Sequence, residues 1–242
     1  MIIGENFIFN HTPKCGGMSV TRWILNNVDG PLTMIVPENA FEHTREMVRF
    51  DDVLPRLTFV NGKRHETLSQ TKKTLDALGR SAPDFVISII RDPYALLRSY
   101  FYYLQQPHIV KRHAGKFPRQ RAAIESGFEG FCKSCKFFGY DENEVVDFFH
   151  APSAFDRVDL VPLRHISNYL SSRFSSHKNF GRTPLETRNR TQKPEIDPLE
   201  EAKIRDIVNK RYHRVSKLYQ DAMVQFEGKN SRAACLNRIY RA

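Results

Sequence analysis

Phe7-Ile8-Phe9-Asn10-His11-Thr12-Pro13-Lys14-Cys15-Gly16-Gly17-Met18-Ser19-Val20 is an apolar, β-prone run that ends in a polar turn holding one lysine and two adjacent glycines. An amphipathic segment, Val20 to Val28, follows at once. A short apolar run bounded by turn formers reads as a buried strand, and apolar residues at three- and four-residue spacing read as a helix, so the order is strand, tight loop, helix. Such a loop can hold an anion. Residues without side chains let backbone N–H groups approach phosphate or sulfonate oxygens, and the helix they open adds unpaired donors and the positive end of its dipole. Lys14 adds a full charge, and Thr12 and Ser19 add hydroxyl donors, Ser19 from the first helical turn. The plainer reading is a turn whose glycines serve packing and whose lysine is solvated. Lysine, threonine and serine around the glycine pair, straight after a buried-type strand, favour the anion site over it.

Two further strand ends carry polar side chains. Leu57-Thr58-Phe59-Val60 reads as a strand stopped by Asn61-Gly62, and Lys63 to Leu68 follows it. In an open parallel sheet the ligand lies beyond the carboxyl ends of the strands, which predicts that this segment faces the same crevice as Lys14. A loop histidine between basic residues is by default solvated. His65 at a strand end is nevertheless suited to take a proton, because imidazole titrates near neutrality; Glu66 is the reserve. Ser69 to Gly79 reads as a crossover helix. Phe85-Val86-Ile87-Ser88-Ile89-Ile90 is a nearly continuous apolar run, the pattern of a strand buried on both faces. It ends in Arg91-Asp92-Pro93, where Asp92 can cap a helix that Pro93 begins and that runs to Leu104, with Ser99 two turns in.

The rest of the chain is less specific. Pro31 to Asp52 reads as a loop with at most a short helix near Ala40 to Val48. Residues 106–140 form a basic helical or irregular insertion, either a solvated face or the lining of an acceptor groove. A short helix at Glu142 to His150, a strand at Val158 to Leu163 and a helix at Ile166 to Phe174 follow, then a long loop from Ser175 to Pro198. A last long helix, capped by Asp197 and Pro198, is predicted to run through Met223.

The chain has 242 residues, 40% of them hydrophobic, enough for one domain spanning 1–242. Its formal charge of +10 predicts attraction to polyanions such as nucleic acid, acidic glycans, anionic lipid or a multiply charged nucleotide. No window approaches the roughly 18 apolar residues that span a bilayer, and Met1 to Asn6 lacks the pattern of a signal peptide, so the expected location is cytoplasmic. Four cysteines give no disulfide framework, and the single pair Cys132 and Cys135 lacks the second pair that a zinc site needs.

The loop is not a Walker A sequence, whose lysine follows the last glycine and precedes Ser or Thr. Lys14-Cys15-Gly16-Gly17-Met18-Ser19 instead resembles the 5′-phosphosulfate loop of sulfotransferases that use 3′-phosphoadenosine 5′-phosphosulfate, above all the carbohydrate and Golgi-type branch and its bacterial relatives. Cys15 and Met18 stand where that branch more often has Thr or Ser. Arg91-Asp92-Pro93 with Ser99 resembles the 3′-phosphate site of the same enzymes, and Asn189-Arg190-Thr191-Gln192-Lys193 is similar to their late basic loop. The resemblance implies a three-layer α/β fold with a central parallel sheet, related to the nucleotide kinases. It implies donor contacts from Thr12, Lys14, Cys15, Gly16, Gly17, Met18, Ser19, Arg91, Ser99, Arg190 and Lys193, catalysis by Lys14 and His65, and no metal. The family's interval from strand-ending glycine to histidine is commonly shorter than Gly62 to His65. The implied reaction moves a sulfonate group to a hydroxyl of a carbohydrate or glycan, releasing adenosine 3′,5′-bisphosphate, with no nucleic acid as partner. An ATP-dependent small-molecule kinase and a non-catalytic polyanion-binding protein are the alternatives.

Overall fold

A computed structural model gives the fold and describes residues 1–113, 117–186 and 193–239. In chain order the elements begin with strands β1 (Ile2–Ile3) and β2 (Phe7–Asn10), helix α1 (Gly17–Asn27), β3 (Leu32–Val36), α2 (Phe41–Arg45), β4 (Leu57–Asn61), α3 (Leu68–Ala77) and β5 (Phe85–Ile90). They continue with α4 (Pro93–Leu104), α5 (Pro107–His113), α6 (Pro118–Glu125), α7 (Gly127–Ser134), α8 (Glu142–Val146), β6 (Val158–Pro162), α9 (Ile166–Phe174), α10 (Pro198–Arg211) and α11 (His213–Ile239).

The strands form one six-stranded sheet in the order β4-β3-β1-β2-β5-β6. β2, β5 and β6 pair in parallel, and so do β3 and β4. β1 is antiparallel to both β2 and β3, so the sheet is mixed, a correction to the wholly parallel sheet that the sequence led us to expect. Ile2-Ile3 is too short a run to register as a strand by pattern, and it is turned back onto β2 by a bond from the Gly4 N–H to the Phe7 carbonyl, 2.9 Å. Because β1 opposes both neighbours, the five longer strands all point the same way. Their carboxyl ends make one edge.

Side-chain alternation covers both faces of that sheet. Phe7 and Phe9 face a core shared with Trp23 and Ile24 of α1 and Leu97 and Phe101 of α4, whereas Ile8 and Val86 face Leu68 and Leu75 of α3. β5 is buried along its whole length, which its unbroken apolar run requires. The ends of the helices are marked chemically: Thr67 and Gln70 close a capping box on α3, and the Asp92 carboxylate accepts from the Tyr94 N–H at 3.1 Å at the start of α4.

Two other expectations need correction. The segment read as a loop from Pro31 to Asp52 contains β3, all five residues of which are buried; Leu-Thr-Met-Ile-Val is a short β-prone run whose flanking prolines hid it, and tertiary burial decides the outcome. The single last helix is two helices, broken at Tyr212 (φ −119°, ψ 44°), whose hydroxyl accepts from the Phe137 N–H. The insertion at 106–140 is helical, made of α5, α6 and α7. Among the described residues no helix is long and apolar enough to cross a membrane.

Candidate functional site

The turn between β2 and α1 lies at the carboxyl edge. α1 opens without a side-chain cap, on Gly16 in the left-handed region (φ 76°); the Ser19 and Val20 amides donate to the Gly16 carbonyl at 3.0 and 3.2 Å, which leaves those of Gly17 and Met18 as the first-turn donors a ligand can take. Lys14 is itself left-handed (φ 60°), a conformation that costs a non-glycine residue about 1 to 2 kcal/mol. That twist sets its Nζ over the Tyr103 ring, 4.1 Å from the centroid. Burial, and next to it the Arg91 charge, bring the Lys14 ammonium down to about 8.

Arg91, at the end of β5, is joined to this turn directly: its Nη1 donates to the Lys14 carbonyl at 3.2 Å. Lys193 is drawn to the same place. Its pKa is also lowered to about 8, by burial first and then by Arg91, Arg98 and Lys14. Arg98, one helical turn and a half along α4, donates to the Pro194 carbonyl, and its Nε is buried without a hydrogen-bond partner among the described residues. The nearest acid, Asp92, is taken by Arg205 at 2.9 Å. Lys14, Arg91, Arg98 and Lys193 are therefore four cations with no carboxylate paired to them among the described residues. Like charges held together and partly desolvated raise one another's energy, and an arriving anion relieves all of them at once.

The other loop residues divide. Thr12 and Cys15 turn inward, 1% and 0% exposed. The Thr12 hydroxyl meets the Ser88 Oγ at 3.4 Å, and burial pushes the Cys15 thiol up to about 12. Both side chains are buried, so the hydroxyl expected from Thr12 faces Ser88, and Cys15 adds no hydroxyl. The loop can take them in because Thr12 continues the line of β2 past Asn10, whose register partner is Ser88. Gly16 and Gly17 are needed for space: a Cβ on Gly17 would lie 1.9 Å from Cδ2 of His11, and one on Gly16 would meet Leu163 at 2.9 Å. Met18 is half-buried with its Sδ 3.8 Å from Nη1 of Arg64, and Ser19 faces a cleft it shares with Arg22, Trp23 and Arg49. Ser99 is buried on α4, between Arg98 and Tyr100. Arg190 lies outside the described residues.

His65 reaches the turn from β4. Its ring meets the His11 ring edge-on at 4.7 Å, and its Nδ1 is 2.8 Å from the His11 carbonyl. Burial lowers it to about 4, the charges of Arg64 and Lys14 acting in the same direction. His11 is buried against Gly17 and Phe9, and burial keeps its ring neutral as well. Glu66, the reserve base, is 6% exposed and accepts the Thr74 hydroxyl at 2.9 Å, so its carboxylate is occupied inside the fold.

Three residues that the sequence did not single out belong to the site: Tyr103 under Lys14, Arg98 beside Lys193, and Arg64 beside Met18. A signal existed for two of them. Arg98 and Tyr103 lie one and four residues from Ser99 on a helix already tied to Arg91, and residues four apart share a helix face.

The arrangement can bind a multiply charged anion at a helix start and can offer a neutral imidazole next to it. Comparison of the chain with protein-family models, with curated proteins and with solved structures returns no match.

Proposed function

We propose that the protein is a sulfotransferase, moving a sulfonate group from 3′-phosphoadenosine 5′-phosphosulfate to an acceptor hydroxyl. The observation that carries this reading is the set of four cations that, among the described residues, have no carboxylate partner, two of them lysines that burial and the neighbouring arginines bring down to about 8. A nucleotide with phosphate groups at both ends fits that set. The orphaned Nε of Arg98, with Arg91 and the late Lys193, suits a 3′-phosphate; Lys14 and the first amides of α1 suit the 5′ end.

The donor supplies the activated sulfonate group. Lys14 and the α1 amides hold the negative charge that grows on the 5′-phosphate oxygen as its bond to sulfur breaks. Nε2 of His65 takes the proton that the acceptor hydroxyl loses as its oxygen bonds to sulfur. Arg91 ties the two ends together, since one guanidinium both braces the Lys14 carbonyl and lies beside Lys193. With this reading goes a fold of the kinase-like sulfotransferase kind, supported by β2, its glycine loop and α1 at the carboxyl edge. A saccharide is the acceptor that the sequence resemblance implies.

Calorimetric titration with adenosine 3′,5′-bisphosphate, run beside ATP with Mg²⁺, tests it. The expected result is at least tenfold tighter binding of the bisphosphate, with transfer of labelled sulfonate to a hydroxyl acceptor. Equal affinities, or binding that depends on charge and salt alone, would exclude it.

A further inference from the structure

Beside the proposed transfer site lies a cavity of about 90 Å³ that α4, α5 and α6 enclose. Tyr100, Tyr103, Leu104, Phe117, Phe138 and Arg119 are among its walls. Two of these walls also belong to the site already described. The Tyr103 ring carries the Lys14 ammonium 4.1 Å above its centre, and the Phe138 ring lies 6.2 Å from that of His65. Tyr100 and Phe138 stack at 4.2 Å and 21°, which gives the cavity a flat face. Phe117, 40% exposed, is its outer wall, where a ligand can enter.

The polar groups are few. Arg119 spends one N–H on the Phe138 carbonyl (2.9 Å) and covers the Phe117 ring at 4.9 Å, and among the described residues it pairs with no carboxylate. The Tyr100 hydroxyl is buried, next to the Phe138 backbone.

Resting on the sulfotransferase reading, we infer that the acceptor is a single aromatic ring that bears the reacting hydroxyl and, away from it, an anionic group held by Arg119. At about 90 Å³ the cavity is smaller than the roughly 150 Å³ apolar cavity that takes benzene, so it admits no more than one ring, held with one side toward the opening at Phe117. Wall chemistry argues against a sugar, whose ring carries several hydroxyls that the Tyr, Phe, Leu and Ile side chains lining most of the cavity do not pair, while Gln120 already donates to the Ile109 carbonyl at 3.3 Å. Planar faces also favour an aryl ring, through offset stacking on Tyr100 and Phe138. The base fits as well. An imidazole lowered to about 4 is weak, and a phenolic proton, with a pKa near 10, is far easier for it to take than that of an alkyl alcohol.

The reaction balances without a further reagent: the aryl oxygen bonds to sulfur, the sulfur–phosphate oxygen bond breaks, the proton goes to His65 and adenosine 3′,5′-bisphosphate leaves.

The test is a binding titration of the nucleotide-loaded protein with 4-hydroxyphenylacetate, phenol and N-acetylglucosamine, followed by transfer assays with the same three. We expect 4-hydroxyphenylacetate to bind at least tenfold tighter than phenol, N-acetylglucosamine not to bind, and Arg119→Gln to erase the difference between the two aryl ligands. Ile109→Phe, which fills the cavity from α5, is expected to weaken both aryl ligands while leaving the nucleotide's affinity unchanged. Aryl-acid binding without transfer to any hydroxyl upholds the ligand class and overturns sulfonate transfer. Transfer to N-acetylglucosamine without aryl binding does the reverse. Equal binding of the two aryl ligands overturns the role of Arg119.

Discussion

Nδ1 of His65 lies 2.8 Å from the backbone oxygen of His11. A carbonyl oxygen only accepts, so Nδ1 carries the proton and Nε2 keeps the lone pair. The tautomer that a base needs is thereby fixed by the anion-binding turn itself, because His11 and Lys14 belong to one loop. The same contact holds the ring among buried neighbours, and burial lowers it to about 4.

The acidic limb of kcat/KM should therefore fall near pH 4 instead of near 6.5. His65→Gln should lower turnover about a hundredfold or more, remove that limb and leave nucleotide affinity nearly unchanged. A limb centred near 6.5 in a pH–rate profile would show that the ring charges freely and is not held as described.

Stability carries a matching sign. Between about 4 and 6.5 the unfolded chain holds a proton on His65 that the folded chain does not, so stability falls as pH drops through that window, by at most about 1.4 kcal/mol per pH unit for one group. Urea unfolding at pH 4.5 and pH 7 should show the loss, and the His65→Gln variant should show less of it.

Lys14 offers a substitution in which stability and activity separate. Lys14→Gly relieves a left-handed backbone at φ 60° and is expected to leave the thermal midpoint equal or higher, yet to lose about a hundredfold or more in sulfonate transfer along with Lys14→Ala. Near-native turnover in either variant, measured against the melting curve, excludes the role given to the ammonium.

Arg91→Ala should remove most of the preference for adenosine 3′,5′-bisphosphate over AMP. A charge-assisted bond to phosphate contributes roughly 1.5 to 3 kcal/mol, over tenfold in affinity, and the same guanidinium also braces the Lys14 carbonyl. Competition titrations with both nucleotides read the difference directly.

Binding should also take up a proton. At pH 8.5 the lysines brought down to about 8 are largely neutral, and a phosphate between them restores their charge. Calorimetry in two buffers of different ionisation enthalpy should show uptake at pH 8.5 and almost none at pH 6.5; affinity should weaken as pH rises above about 8.

Much of this was open to inspection in the sequence. The turn after β2 and the Arg91-Asp92-Pro93 start of α4 are local: glycine, proline and a capping acid dictate their own backbone, so their chemistry can be read from neighbours in the chain. What could not be read is direction. Thr12 and Ser19 have similar side chains, but Thr12 continues a buried strand and is swallowed beside Ser88, while Ser19 opens onto a cleft. Tyr103 gains its place under Lys14 only through the packing of α4 across the edge of the sheet. β3 was hidden for a related reason: a buried strand of five residues between two prolines has no local mark beyond its burial.

The order of the strands also accounts for an odd interval in the chain. β3 and β1 stand between β4 and β2. At about 4.8 Å per neighbour, the end of β4 lies about 14 Å from the end of β2, yet the His65 ring comes to 4.7 Å from that of His11. Four residues carry the backbone from Asn61 to His65, and at about 3.5 Å each they reach about 14 Å. The stretch Gly62-Lys63-Arg64 is thus a bent span laid across two strand ends, and the length of the imidazole side chain completes the approach to the His11 carbonyl. Deleting Lys63 straightens that span and changes the direction from which the imidazole meets the turn it serves, however well every other contact is kept.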